Sequence, residues 1–339
     1  MSNKVLTLCT SAYNAEQQIS RMLDSVVAIK NHSSLQVIIV NDGSTDNTQD
    51  IILYYKQRYP NLIDVVETSN GGSGAGRNLA FKRATGKYLG LLDADDHVIT
   101  DGLDAFIEFL ICTDVDAVFN SFYKYYCPEN QMKYNRHVEK YGSTGDIYTL
   151  ENSMPRFVRN NRQEMQGTIY RTEIIKNNGF ELTEGVSYVD AEYITIPYKW
   201  IRTYVCVDIP YYVYNIGVPG QSIEFNNSIK KNSQRGFIIE RMLSEYDDTV
   251  WVFKNNKERM ECNIACVYMD YIINYLYMCD IKYMDTVRDS ISRMKKHYPY
   301  IYSKTSVGGR MKSVNYFGRV GYLICIILGT LNKLIERVG

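Results

Sequence analysis

Three carboxylates fall within four residues at Asp93-Ala94-Asp95-Asp96, directly after the apolar stretch Tyr88-Leu89-Gly90-Leu91-Leu92. Like charges packed this closely repel one another unless a cation sits among them. Hard oxygen ligands suit Mg²⁺ or Mn²⁺, which also coordinate a diphosphate. The plainer reading is an acidic turn capping the next helix, but a position at the mouth of a sheet favours metal. A second acidic cluster, Asp42-Gly43-Ser44-Thr45-Asp46, follows Val37–Val40. Asp42, on a glycine-containing turn at a strand's carboxyl end, is placed to accept a hydrogen bond from a ligand. A turn with a helix N-cap is the stronger reading of that motif taken alone. The third motif is the run Asn70-Gly71-Gly72-Ser73-Gly74-Ala75-Gly76-Arg77-Asn78. Glycines let backbone N–H groups approach an anion, and a helix N-terminus adds a favourable dipole. Gly71 and Gly76 have P-loop spacing, yet Arg77-Asn78 stand where Lys-Ser/Thr is required. The third glycine of a dinucleotide fingerprint falls on Arg77 or Leu79, so ATPase and dinucleotide readings are both disfavoured.

The elements that must carry these motifs are strands alternating with helices. Val5–Thr10, Val37–Val40, Ile63–Glu67, Tyr88–Leu92 and Ala117–Phe119 read as strands, apolar enough to be buried on both faces. Ile19, Met22, Leu23, Val26 and Val27 share one helical face, with Asn14 and Gln17 as the capping pair. Thr48–Tyr59, Gly76–Ala84 and Asp101–Cys112 are further helices, the last capped by Thr100. The alternation implies an α/β fold with a mainly parallel sheet, whose ligands bind beyond the carboxyl ends of the strands. Short strands at Val205–Val207 and Tyr211–Tyr214 flank Pro210, and helices are expected at Ile229–Tyr246, Asn255–Met278 and Met284–Met294.

Composition narrows the function. The chain has 339 residues, 45% hydrophobic, with 38 basic and 38 acidic side chains. This excludes a disordered chain and a protein coated in positive charge for wrapping nucleic acid. The length suggests one large domain and a smaller companion. Eight cysteines without a Cys-x-x-Cys pair read as reduced core thiols, and none of the four histidines lies at zinc-ligand spacing. No signal-peptide core follows Met1, so the expected location is cytoplasmic. Tyrosine is abundant, 30 against 11 phenylalanines, and reads as half-buried packing with a wet hydroxyl.

Ala12-Tyr13-Asn14, Val40 through Asp46, Asn70 through Asn78, and Asp93 through Asp96 occur in an order and spacing that strongly resemble family-2 glycosyltransferases. The resemblance covers about the first 120 residues, continues more loosely to about Ile223 and then thins out. It implies the GT-A nucleotide-sugar fold over residues 1–225, with a donor half (1–120), an acceptor half (121–225) and a helical region beyond, 226–339. It further implies that Ser11, Ala12 and Tyr13 line the base pocket, and that Asp42 accepts the N3–H of a uracil. Arg77 would lie near the nucleotide phosphates. Asp95 would be the direct ligand of Mn²⁺ or Mg²⁺, and Asp93 would face the ribose or a metal-bound water. Two departures stand out: Ser11 replaces the family's usual proline, and Gly76 its usual alanine. The family's general base is the aspartate of a Glu-Asp pair. Asp190 matches it, Val189 stands where the glutamate is expected, and Glu192 is the rival. The implied reaction is a single displacement with inversion from a UDP-sugar. Gln234-Arg235-Gly236 does not match the Gln-x-x-Arg-Trp signature of processive members, so one sugar per encounter is expected. The competing classes are a non-catalytic nucleotide-sugar-binding scaffold and a sugar nucleotidyltransferase. The latter would need a basic Gly-rich loop after the first strand, where Ser11-Ala12-Tyr13-Asn14 stands.

Residues 293–339 carry nine basic side chains and one acidic, leaving 29 basic against 37 acidic in residues 1–292. Within that tail Val320–Leu331 is apolar but shorter than the roughly 20 residues that span a bilayer. A buried core or homo-oligomer interface helix is one reading. The flanking charge favours a helix lying in an anionic membrane surface, with Tyr298, Tyr300, Tyr302, Tyr316 and Tyr322 at headgroup depth. A peripheral position on the inner face of the cell membrane suits a polyprenyl-linked saccharide acceptor, as in capsule, exopolysaccharide or cell-wall assembly. No nucleic-acid partner is expected.

Overall fold

Alternating Val, Ile and Leu in the N-terminal strands send successive side chains into two different cores. A computed structural model describes residues 4–136, 143–151, 163–218, 221, 225–278 and 280–305. The N-terminal strands are β1 (Leu6–Ala12), β2 (Leu35–Asp42), β3 (Ile63–Thr68) and β4 (Tyr88–Leu91). In β2, Val37 and Ile39 join one apolar cluster and Ile38 and Val40 the other, all fully buried. Helices α1 (Ile19–Val27), α2 (Thr48–Arg58) and α4 (Thr100–Ile111) cover one face through Ile19, Met22, Ile52, Leu103 and Phe106. Helix α3 (Gly72–Arg83) covers the other through Ala80 and Phe81.

The remaining strands are β5 (His97–Val98), β6 (Ala117–Asn120), β7 (Phe122–Tyr126), β8 (Gln131–Asn135), β9 (Ile147–Thr149), β10 (Thr168–Arg171), β11 (Thr203–Val207) and β12 (Tyr212–Ile216). Eight strands form one sheet in the order β3-β2-β1-β4-β10-β6-β11-β9. The pairs among β1 to β4 are parallel, as is β6 with β11, whereas β10 runs antiparallel to both neighbours. A smaller sheet, β5-β12-β7-β8, stands beside the carboxyl end of β4. The strands expected on either side of Pro210 therefore belong to different sheets.

Several boundaries differ from the sequence reading. Helix α3 begins at Gly72, four residues before Gly76, so the glycine run is its first turn. Asn14 does not cap α1: its Oδ1 accepts the Thr45 N–H at 2.8 Å, and Gln18 occupies the cap position without a side-chain bond. Thr100 is the first residue of α4, with Ile99 in the cap position. The helix expected over Ile229–Tyr246 is two helices, Phe225–Lys230 and Asn232–Asp247.

The long helix Lys254–Met278 and its neighbour Asn232–Asp247 bury Met260, Ile264, Ile238 and Met242 in the same cluster as Leu89 and Ala117 of the sheet. Three asparagines bind the long helix to loop carbonyls: Asn255 to Leu150, Asn256 to Tyr198 and Ile201, and Asn263 to Ile194. Cys9 and Cys206 are buried thiols, as expected, whereas Cys112 is exposed. Val320–Leu331, Tyr316 and Tyr322 lie outside the described residues. Of the tail's basic side chains, Arg293 pairs with Glu240 and Lys304 with Glu261, so the helical body neutralises both. Tyr298 and Tyr302 pack against the protein core, in contrast to the headgroup position expected of them, and Tyr300 is exposed. No helix among the described residues is long and apolar enough to cross a membrane.

Candidate active site

The carboxyl ends of β1, β2 and β4 and the start of α3 converge on one cleft. Asp42 ends β2 almost fully buried, and its Oδ1 accepts the Gly71 N–H at 2.8 Å. Burial pushes this carboxyl up, and the N–H groups of Gly71 and Gly72 only partly offset it. Asp46 plays the bland part that the motif allowed. It bonds the Thr48 N–H and hydroxyl at the start of α2 and receives the Glu16 N–H at 3.2 Å, tying the β1–α1 loop to this turn. Ser11 and Tyr13 line the cleft, while Ala12 between them turns its methyl into the core, as strand alternation requires.

The glycine run serves helix packing through Gly74 and Gly76, while Gly72 and Ser73 line the cleft. A Cβ on Gly74 would stand 2.1 Å from the Thr183 carbonyl oxygen, and one on Gly76 would stand 2.4 Å from Ser11 Oγ. The two departures from the family pattern, Ser11 and Gly76, thus touch each other. The close approach brings α3 against residues 182–185, where Gly71 accepts the Gly185 N–H and Asn78 exchanges two hydrogen bonds with the Leu182 backbone.

The acidic motif divides into unlike parts. Asp96 is fully buried and accepts hydrogen bonds from the Tyr212 hydroxyl and the Asn215 N–H. Burial, then the charges of Asp95 and Asp93, push its carboxyl well above the usual range. Asp93 meets the Arg77 guanidinium at 2.6 Å, but burial still holds its carboxyl raised. Arg77 is itself buried. Burial lowers its affinity for a proton, and the carboxylates of Asp93 and Asp190 more than restore it. Asp95 accepts the Gln221 side-chain N–H at 2.8 Å. One oxygen each of Asp93, Asp95 and Asp96 lies within 4.8 Å of the others, a separation that fits a single divalent cation. Asp96 is engaged through both oxygens by Tyr212 and Asn215, whereas Asp93 and Asp95 each have one oxygen engaged, by Arg77 and Gln221, and line the cleft where such an ion would sit.

Asp190 opens the short helix Asp190–Tyr193 and faces a cleft with Arg77, Asp93, Asp95, Tyr188 and Tyr214. Val189 is buried in the core, and Glu192 is turned away, its carboxylate accepting the Thr183 N–H and hydroxyl. Tyr188 holds φ at +70°, a left-handed backbone that costs on the order of 1–2 kcal/mol for a non-glycine residue. The Arg235 guanidinium stacks 3.9 Å from its ring centroid, and Gln234 accepts the Ser187 N–H at 2.8 Å.

Two adjoining clefts result. One, of about 600 Å³, runs from Asp42, Ser11 and Tyr13 to Lys231 and Gln234. The other, of about 320 Å³, holds Asp190 and Arg77. Asp93 and Asp95 belong to both walls. Residues 7–176, half of the chain, match the family described as Glycosyl transferase family 2. The chain belongs to glycosyltransferase family 2.

Related proteins agree with that membership. The uncharacterized glycosyltransferase YibD of Escherichia coli is 24% identical over 266 residues, covering 74% of this chain and 75% of that protein. The poly(ribitol-phosphate) beta-glucosyltransferase of Bacillus spizizenii is 38% identical over 100 residues, 29% of this chain and 16% of that much longer relative. Among solved structures, S. aureus TarS 1–349 in complex with UDP superimposes with a TM-score of 0.68 at 17% identity, covering 99% of this chain and 92% of that one. TarS has also been solved with UDP-GlcNAc. At that identity the likeness is one of fold, and the fold is GT-A. Around the cleft of this family-2 glycosyltransferase stand residues to which sequence reading gave no role: Tyr212, Asn215 and Gln221 contact the acidic motif, and Gln234 and Arg235 contact residues 187–188. Gln234-Arg235 drew notice only for failing a processive signature, yet its position against the cleft was the available signal.

Proposed function

We propose that this enzyme moves one sugar from a UDP-sugar to a hydroxyl of a saccharide acceptor in bacterial cell-surface polysaccharide assembly, by single displacement with inversion. The observation that carries the reading is the shared wall. A donor lying along the larger cleft from Asp42 would bring its anomeric carbon past Asp93 and Asp95, toward the smaller cleft that holds Asp190. Asp42 would accept a uracil N3–H, with Ser11, Tyr13 and the Ala12 backbone around the base. Arg77, held by Asp93 at 2.6 Å, would place positive charge beside the diphosphate end. Asp95 and Asp93 would hold Mn²⁺ or Mg²⁺, which when bound supplies positive charge to the departing diphosphate. Asp190 would accept the acceptor's proton as the hydroxyl attacks, which needs a carboxylate within hydrogen-bond reach.

UDP and UDP-GlcNAc bound to TarS support the choice of nucleotide, and the poly(ribitol-phosphate) transferase supports a cell-wall type of acceptor. The basic, apolar tail supports a polyprenyl-linked acceptor met at the inner face of the membrane. A panel of UDP- and GDP-sugars, assayed for nucleotide release with Mn²⁺, with Mg²⁺ and with EDTA, tests the reading. Release from a UDP-sugar that EDTA abolishes is expected; release that ignores EDTA, or that occurs only from GDP-sugars, would refute it.

A further inference from the structure

We infer that the enzyme carries a second saccharide-binding cleft at the opposite end of the sheet from its catalytic carboxylates. The cleft encloses about 430 Å³, within the range of small-molecule sites, and both of the chain's tryptophans, Trp200 and Trp251, line it. Around them stand Asp116, Asn178, Arg202 and Asn256. Asp116 and Arg202 immediately precede β6 and β11, whose amino-terminal ends face away from Asp42 and Asp93. Strands of four and five residues, at about 3.3 Å per residue, put the two sites about 15 Å or more apart.

Four features point to a neutral polyol. The indole N–H of Trp200 and the Arg202 guanidinium have no partner among the described residues, leaving both donors available. The buried Oδ1 of Asn256, in the cleft wall, is likewise unpaired. Lys199 is neutralised by Glu245 at 2.6 Å while lying 5.3 Å from the Trp200 ring centroid. Asp116 is engaged by Arg171 and by the Arg202 and Thr203 N–H groups, so among the described lining residues Arg202 stands as a lone cation and no cationic cluster invites a phosphate. Flat indole faces suit the C–H face of a pyranose, and the fixed donors suit its equatorial hydroxyls. Trp251 is held for this by its own N–H, which bonds the Tyr246 carbonyl at 3.2 Å. A segment bound here lies too far from Asp190 to react, so the cleft grips the body of a polymeric acceptor while its end reaches the catalytic cleft. This rests on the reading that the acceptor is a saccharide.

Because both tryptophans line the cleft, intrinsic fluorescence reports on it without a label. Chitotetraose, cellotetraose and maltotetraose are titrated into the full chain with UDP saturating the donor cleft, and saturation-transfer NMR is recorded on the same samples. At least one should give a saturable change. Arg202→Ala, at an exposed position, should weaken it by about tenfold, Trp200→Phe should remove most of the signal, and metal-dependent donor hydrolysis should be unchanged in both variants. No response by either method, a response that Arg202→Ala leaves intact, or a response that appears only when UDP is omitted would overturn the inference. Donor hydrolysis with no oligosaccharide binding sinks this inference alone. Loss of donor hydrolysis in the unmodified enzyme would sink the transferase reading instead.

Discussion

At the scale of single residues, the two carboxylates of the acceptor-side segment have opposite fates. Asp190 opens into the smaller cleft, so if it is the proposed base Asp190→Asn should lower transfer by about 100- to 10,000-fold while UDP affinity by calorimetry stays near wild type. An Asp190→Asn enzyme of normal turnover would return the assignment to another group. Glu192 is buried, and desolvation raises its carboxyl above the ordinary 4.5 despite the bonds from Thr183. The folded state therefore binds this proton more tightly than the unfolded chain. Its contribution to stability is full below about pH 4.5 and is lost as the pH climbs through the raised folded value. The stability of wild type relative to Glu192→Gln, from urea melts, should accordingly fall as pH rises across that window. A difference that grows with pH would contradict the burial argument. Asp42, Asp93 and Asp95, which line the cleft, were legible as candidate site residues because each lies in a short motif at a strand end. Tyr212, Asn215 and Gln221 were not, because they meet the acidic motif across more than a hundred residues of chain and carry no local pattern.

Among the elements, helix α3 teaches most. The sequence reading begins this helix only at Gly76, and because glycine is a poor helix former nothing local marks Gly72 as its start; tertiary approach overrides propensity. Gly76 has no room for a methyl while Ser11 faces it, since the added Cβ would also lie 2.9 Å from Ser11 Cβ. Gly76→Ala should destabilise the protein by about 1–3 kcal/mol. Ser11→Gly in the same chain should recover most of that loss, a coupling visible in a double-mutant cycle by urea melts. Simple additivity would mean that the helix tilts away from the clash. The parallel strands were readable from their apolar runs. The antiparallel β10 and the small sheet were not, because short strands of mixed polarity, such as Phe122-Tyr123-Lys124-Tyr125-Tyr126, carry little periodicity of their own.

For the whole molecule, the helices from Phe225 to Ser303 complete the core of the sheet, and the sequence beyond them is basic and apolar. Deleting Val314–Gly339 should move the protein from the membrane fraction to the soluble fraction on sedimentation, with its thermal midpoint held within a few degrees. Continued sedimentation with membranes would show that the tail is not the anchor. The wall shared by the two clefts has a kinetic meaning. A nucleotide-sugar lying against Asp93 and Asp95 finishes one side of the compartment around Asp190, so the acceptor has a complete site only after the donor has entered. Turnover should follow a compulsory sequence: UDP inhibits competitively against the donor and noncompetitively against the acceptor, and isotope trapping captures bound donor but not bound acceptor.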